Sequence, residues 1–440
     1  MTKNRFSMAL AWAGLALYAE MLRFLFLLFL PLVLVMSLFR ALPHRFRARF
    51  WPDVGPLTQK DTRPCIWIHA LSLGEMLSAL PLVEALREKR PDIRLVCTAA
   101  TRSGMEAAQK HLKNRVAAIH YFPLDHPLAV HRMLDALAPD LFVLVETDLW
   151  PYFMHALSRR KIPALWVNAR ISDKSLKGYA RLSLLMGPAM TRFEAIVPQS
   201  PEDGLRLQRL GVGRERLLPW GNLKHDRAMP DPLNPDLEDV RAWILRRRPA
   251  FIWICGSLHP GEEPFVAKVL SHPCMEGRNL LTLVVPRHPE KSPEFETRFR
   301  SLGLEPWIFS RNPPSEASLV ILDRMGILND LYALGHGALV GGSFVPLRGH
   351  NPLEPAMAEV PVLMGPHRED FEESWQGLCA AGGGFGVKDA DEMRERLLFW
   401  MDHPLEGREA GRAGRRFVLE GRGVVSVIVD WIGKRLERAC

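Results

Sequence analysis

The pattern of apolar and polar positions divides the chain into two unlike regions. Residues 7–39 form the one long hydrophobic stretch: Met8 to Ala19 is apolar, and so is Phe24 to Phe39 apart from Pro31 and Ser37. Glu20 and Arg23 lie between the two halves, three residues apart, where they can pair on one helix face. A full membrane span takes about 20 apolar residues. The pattern therefore fits either one spanning helix or a helical anchor lying partly in one leaflet. Arg40, His44, Arg45, Arg47 and Arg49 follow. Basic residues on that flank favour the cytoplasmic side and hold anionic headgroups. Lys3 and Arg5 would suit a cleaved signal peptide, but the apolar region is too long and no small-residue cleavage site follows. Anchoring is the expectation.

From residue 63 onward, short apolar runs alternate with longer amphipathic stretches. The runs Cys65–Ala70, Ile93–Thr98, Leu141–Val145, Ala164–Val167 and Glu194–Pro198 have strand length. Helix-like segments such as Glu75–Lys89, Ser103–Lys113 and Pro127–Leu137 follow them. The segment Met229–Asp236 holds three prolines and reads as a linker. Alternation resumes with Phe251–Cys255, Leu280–Val285, Leu319–Leu322, Ala338–Val340 and Pro361–Met364. Strand–helix alternation predicts parallel sheets covered on both faces. The predicted layout is an anchor and basic segment over 1–50, an α/β domain over 51–228, a linker over 229–236 and a second α/β domain over 237–440. The amphipathic stretch Val424–Arg438 packs back across the domains in this reading. Ligands of such sheets bind beyond the carboxyl ends of the strands, so the loops there, facing a cleft between two domains, are where chemistry is expected.

Composition narrows the partners. The 440 residues are 48% hydrophobic and 24% charged, as in a globular protein, and the formal net charge is +8. A basic surface favours phospholipid, phosphorylated substrate or nucleotide. No nucleic acid is expected, because the basic residues are scattered and no helix-turn-helix, RNA-recognition or zinc-finger pattern occurs. None of the six cysteines is spaced as CxxC, so no metal site is expected. Cys65, Cys97 and Cys255 sit in or beside apolar runs and read as buried, reduced thiols.

In the first domain, His69-Ala-Leu-Ser72-Leu-Gly74-Glu75 leads from a strand into a helix. A carboxylate there can deprotonate an attacking sugar hydroxyl, or simply favour the helix N-terminus. Thr101-Arg102-Ser103-Gly104 suits a phosphate or sugar hydroxyl, or ordinary N-capping. Glu146 and Asp148 end the third predicted strand; acids at a strand tip are exposed, paired or turned to a ligand. Arg170 follows the fourth, where a guanidinium can hold an acceptor phosphate or a neighbouring carboxylate. In the second domain, three polar loops follow successive strands: Gly256 to Glu263 with Ser257 and His259, Pro286 to Glu290 with Arg287 and His288, and Gly341-Gly342-Ser343 running on to His350, Asn351 and Glu354. Backbone N–H groups of Gly341–Ser343 are expected to approach phosphate. Asn351 is the expected N-cap with Pro352 at the first helical position, and Glu354 can accept from ribose hydroxyls.

These motifs, in this order, resemble one family. His69-x-x-Ser72-x-Gly74-Glu75, Glu146-Thr-Asp148-Leu-Trp-Pro, Asn168-Ala-Arg170, Gly221-Asn-Leu-Lys224, Pro286-Arg-His-Pro-Glu290, Gly341-Gly-Ser343, Gly349-His-Asn-Pro-Leu-Glu-Pro355 and Gly365-Pro-His367 are similar to those of the bacterial Kdo (3-deoxy-D-manno-octulosonic acid) transferases of lipopolysaccharide synthesis, over about residues 20 to 435. The resemblance implies a GT-B glycosyltransferase fold with two Rossmann-like domains. It implies an inverting, metal-independent transfer without a cofactor, from CMP-Kdo to the lipid A precursor lipid IVA, an anionic glycolipid, at the cytoplasmic face of the inner membrane. Glu75 then becomes the general base, with Ser72, Thr101, Glu146, Asp148 and Arg170 toward the acceptor. Ser257, His259, Arg287, His288, Gly342, Ser343, His350, Asn351 and Glu354 face the donor. The chain departs from the usual family pattern at Leu258 (threonine), Asp148 (glutamate) and Arg348 (glycine), and around Arg102 and Ser103, where threonine and proline are usual. Two other readings compete: a GT-B transferase using another CMP- or UDP-linked sugar on another lipid or polysaccharide, and a catalytically silent membrane scaffold. The scaffold would be marked by loss of Glu75 or the donor motif, and neither is lost.

Overall fold

The computed structural model describes residues 44–52, 62–226 and 233–437, with Gly14, 17–25, Leu28 and Pro230. Most of the anchor predicted over 7–39, and residues 229, 231 and 232 of the predicted linker, lie outside the described residues. Among the described residues no helix is long and apolar enough to cross a membrane. Residues 17–25 are helical, and Glu20 pairs with Arg23 as their spacing predicts. Ala19 is buried, and Tyr18 donates to Asp125 Oδ2 at 3.1 Å.

Contacts divide the chain into two units, Met1–Arg227 with Arg422–Cys440, and Ala228–Gly421. The first unit carries six parallel strands: β1 (Cys65–Ala70), β2 (Arg94–Ala99), β3 (Ala118–Tyr121), β4 (Leu141–Val145), β5 (Ala164–Ala169) and β6 (Ala195–Pro198), in the order β3-β2-β1-β4-β5-β6. Every residue of β1, β2, β4 and β5 is buried, which is why these strands read as continuous apolar runs rather than alternating ones. Successive side chains still serve opposite faces. Cys65 and Trp67 join the core on one side of the sheet, while Ile66, Ile68 and Ala70 join the other.

The C-terminal tail corrects the predicted domain limits. Its helix, Val424–Glu437, falls within the predicted second domain, yet it packs back as its amphipathic pattern predicts: Val424, Val425, Ile428, Val429, Ile432 and Leu436 complete the core of the first sheet. Asp226 fixes the start of that helix by accepting from Gly423 N at 2.7 Å and Val425 N at 2.6 Å.

The second unit has seven parallel strands: β7 (Phe251–Leu258), β8 (Leu280–Pro286), β9 (Pro306–Ile308), β10 (Leu319–Ile321), β11 (Gly337–Val340), β12 (Val362–Met364) and β13 (Gly384–Gly386). Their order is β13-β12-β11-β7-β8-β10-β9. In β7, Phe251, Trp253 and Cys255 face one core and Ile252 and Ile254 the other. Cys65, Cys97 and Cys255 are buried, free thiols, as their apolar settings predict.

Candidate active site

The tips of β1, β4 and β5 gather the first unit's polar side chains. Ser72 caps the helix Leu73–Lys89, its hydroxyl accepting from Glu75 N at 3.5 Å. Glu75 therefore lies in the first helical turn, as the spacing predicts, yet only 6% of it is exposed. Its Oε2 accepts from Leu71 N at 2.6 Å and its Oε1 from Thr147 Oγ1 at 2.6 Å. Burial first, and then repulsion from Glu146, push its carboxyl up to about 8; the bonds from Thr147 and Leu71 oppose that rise, and Asp148 adds to it. Each carboxylate oxygen keeps a further lone pair after these bonds. The arrangement is a preoriented carboxyl that exchanges a proton near neutral pH, the property a general base needs.

Both strand-tip acids have internal partners. Glu146 Oε1 accepts from Ser78 Oγ at 2.8 Å and from Asn168 Nδ2 at 3.4 Å, and Lys224 Nζ stands 3.2 Å away. Asp148 Oδ2 meets His69 Nε2 at 3.0 Å, and His69 Nδ1 meets the hydroxyl and carbonyl of Thr98. His69 is fully buried and stacks on Phe122 at 3.9 Å. Glu146 (φ +60°), Asp148 (φ +82°) and Asn168 (φ +56°) all adopt the left-handed backbone that non-glycine residues rarely take. Hydrogen bonds hold it: Glu146 N donates to Val167 O, and Glu146 O accepts from Trp166 Nε1 and Arg170 N. Strain maintained in this way clusters at functional sites.

Thr101 serves the fold, accepting from Gly104 N at 3.1 Å and donating to Leu71 O at 3.0 Å. Arg102 is exposed and pairs with Glu106. Arg49, which the sequence pattern groups with the headgroup-binding residues, instead packs into the first unit. Its Nε donates to Phe122 O at 3.0 Å, and its guanidinium lies 5.8 Å from the Trp150 ring centroid. Thr147, Ser78 and Lys224 join the site without any chemistry-bearing signal of their own in the sequence. Thr147 stands between the two strand-tip acids, and Ser78 lies one turn after Glu75 on the same helix face.

The second unit places its three polar loops at the tips of β7, β8 and β11. His259 and His350 meet Nε2 to Nε2 at 2.8 Å with rings stacked 5.0 Å apart. Burial, with the nearby positive charge of Arg287, pushes His259 down to about 4 and His350 to about 3, so both are neutral at pH 7. His288 lies edge-on to His259 at 6.3 Å. Asn351 is not the N-cap the sequence predicts: the helix runs Leu353–Met357 with Pro352 at its N-cap and no side-chain capping bond, and Asn351, one residue earlier, accepts at Oδ1 from Leu353 N at 3.1 Å. Asn351 Nδ2 faces Glu354 Oε1 at 3.5 Å.

One expectation fails here. The glycine-loop N–H groups were read as phosphate donors, but Gly341 N donates to Gly256 O, and Gly342 N and Ser343 N donate to Glu262. The Ser343 hydroxyl turns inward to Val340 O at 2.6 Å. Ser257 sits at φ +55° and Leu258 is wholly buried in the core. Arg348 pairs with Asp370 at 2.8 Å and has φ +69°, a conformation that suits the glycine usual there. Among the described residues no group of three or more His, Cys, Asp or Glu side chains is arranged to hold a metal ion.

Residues 44–227 match the family described as 3-deoxy-D-manno-octulosonic-acid transferase (kdotransferase). A relative named 3-deoxy-D-manno-octulosonic acid transferase in Haemophilus influenzae is 35% identical over 85% of this chain and 87% of its own. One of the same name in Chlamydia pneumoniae is 30% identical over 79% of each. A solved glycosyltransferase from Rickettsia africae superposes with a TM-score of 0.56, covering 85% of this chain and 99% of that one. At 14% identity this last likeness speaks for the two-sheet fold alone.

Proposed function

The chain belongs to the 3-deoxy-D-manno-octulosonic acid (Kdo) transferase family and is a glycosyltransferase; from that premise we propose that it moves Kdo from CMP-Kdo to lipid IVA, with inversion and without a metal ion. The observation that carries the reading is Glu75, a carboxyl fixed by Leu71 N and Thr147 and raised to about 8 by burial and Glu146. In the proposed step, Glu75 takes the proton of the acceptor hydroxyl as that oxygen bonds to the anomeric carbon. The bond from that carbon to the CMP oxygen breaks, and CMP leaves with the electron pair. A base whose affinity for protons lies near the working pH serves best, because it is partly deprotonated yet still basic.

Arg287, His288, Asn351 and Glu354, on loops after strands of one sheet, hold the cytidine monophosphate in this proposal. Arg170 meets an anionic group of the acceptor. The hydrophobic segment 7–39 and its basic flank keep the enzyme at the cytoplasmic face of the inner membrane, where a lipid acceptor is found. A different donor sugar would have rested on Leu258 and Arg348, but one is buried in the core and the other is engaged by Asp370, so neither argues for it.

The direct experiment incubates membranes containing the protein with CMP-Kdo and lipid IVA and reads the lipid by mass spectrometry. A lipid gaining one or more Kdo masses supports the proposal. Unmodified lipid, with CMP-Kdo intact and a control transferase active, overturns it.

A further inference from the structure

Four backbone N–H groups of the second unit converge on one side chain. Glu262 Oε2 accepts from His259 N at 2.9 Å and Gly342 N at 2.8 Å, and Oε1 accepts from Ser343 N and Phe344 N, both at 3.0 Å. Successive N–H groups curled about one centre form a nest, a concavity that takes anions. Glu262 is 1% exposed. Burial pushes its carboxyl above the ordinary range, while the four N–H bonds favour the charged form. The surrounding backbone has no room to rearrange around a larger group: a Cβ at Gly341 would lie 2.3 Å from Ser257 O, and Gly342 sits at φ +69°. An internal carboxylate therefore occupies the place that an external phosphate would take. The same carboxylate holds His259 by its backbone, and His259 in turn meets His350.

We infer that Glu262 is the positioning residue of the donor site: filling the nest from within, it fixes the Gly342–Phe344 backbone and the His259–His350 pair and leaves the donor's anionic groups to the polar side chains of the β8 loop. This rests on the proposal that the second unit binds the nucleotide. Arg287 supplies the cation there, with His288 beside it, and both are at least partly exposed.

The test uses the full chain with Glu262→Ala and Glu262→Gln, read by thermal unfolding and by CMP titration, with and without excess sodium formate. Glu262→Ala empties the nest, so CMP affinity falls about ten-fold or more, as for loss of charge-assisted hydrogen bonds. Formate, the smallest carboxylate, restores both Tm and CMP affinity in this variant and changes neither in the wild type. Glu262→Gln turns an amide N–H toward two of the four donors and is not rescued. Should Glu262→Ala not fold, Glu262→Ser, which also removes the carboxylate, gives the same comparison. Wild-type CMP affinity in a folded Glu262→Ala, or losses that formate leaves unchanged, overturns the inference. Formate rescue of Tm with no CMP binding even by the wild type overturns the nucleotide assignment and leaves the filled nest standing.

Discussion

Thr147 Oγ1 donates a 2.6 Å hydrogen bond to Glu75 Oε1, linking the residue after β4 to the first turn of the helix after β1. With Leu71 N on the other oxygen, it counters the burial and the Glu146 charge that raise the Glu75 carboxyl. Thr147 thus orients the carboxyl proposed as the base and lowers its affinity for protons.

Thr147→Val removes the hydroxyl at nearly constant shape. A hydrogen bond to a charged group contributes about 1.5 kcal/mol or more, which is about one pK unit. The rising limb of kcat/KM against pH should move up by about one unit, and turnover at pH 7 should fall about ten-fold. A pH–rate profile checks this. An unshifted limb would remove Thr147 from the charge balance of Glu75.

Lys224 faces Glu146 at 3.2 Å with both side chains largely buried. Removing one partner of such a pair leaves an uncompensated charge and costs about 3–5 kcal/mol. Lys224→Met should be destabilised by that order in urea unfolding, and the double variant with Glu146→Gln should recover part of the loss. A Lys224→Met loss under about 1 kcal/mol would show that Ser78 and Asn168 alone satisfy Glu146.

Much of this was legible beforehand. Ten strands announced themselves as apolar runs because their residues are buried on both faces of a parallel sheet. The three that did not, β3, β9 and β13, each lie at a sheet edge and are three or four residues long. All of β3 is only half-buried, so no apolar run marks it. The motif loops located Glu75 and both histidines, but not which way a polar group turns. Polar residues at strand tips such as Glu146, Asp148 and Ser343 have two ways to be satisfied, and the sequence does not show the internal partners that the fold gives them: Lys224, His69 and Val340 O. Nor could residue order say that the final helix completes the first sheet's core.

The described contacts also refine where the chain can be shortened. Helix His44–Phe50 belongs to the first unit through Arg49 Nε to Phe122 O and Leu124 N to Arg49 O. Deleting residues 1–42 should leave a folded body with reduced membrane affinity. Deleting 1–50 should lower Tm further, since two cross-chain hydrogen bonds contribute roughly 1–3 kcal/mol together. Thermal unfolding and vesicle flotation of both truncations check this. Equal Tm values would contradict the structural role of Arg49.

The central claim is that Glu75 is the base, and Glu75→Gln tests it most directly by turnover on CMP-Kdo and lipid IVA across pH. In the wild type, activity should rise with pH and level above about 8, where the carboxyl is ionised. Its folded-state affinity for protons exceeds the ordinary 4.5, so the associated stability is full below that value and is lost as pH rises through about 8. Glutamine keeps the size and an acceptor oxygen but neither ionises nor takes a proton. The account predicts CMP binding retained, a Tm equal to wild type near pH 4 and higher near pH 9, turnover reduced about 10²–10⁴-fold above about pH 8, and the rise of activity through that pH abolished. Turnover near that of the wild type, with its pH dependence unchanged, would contradict it.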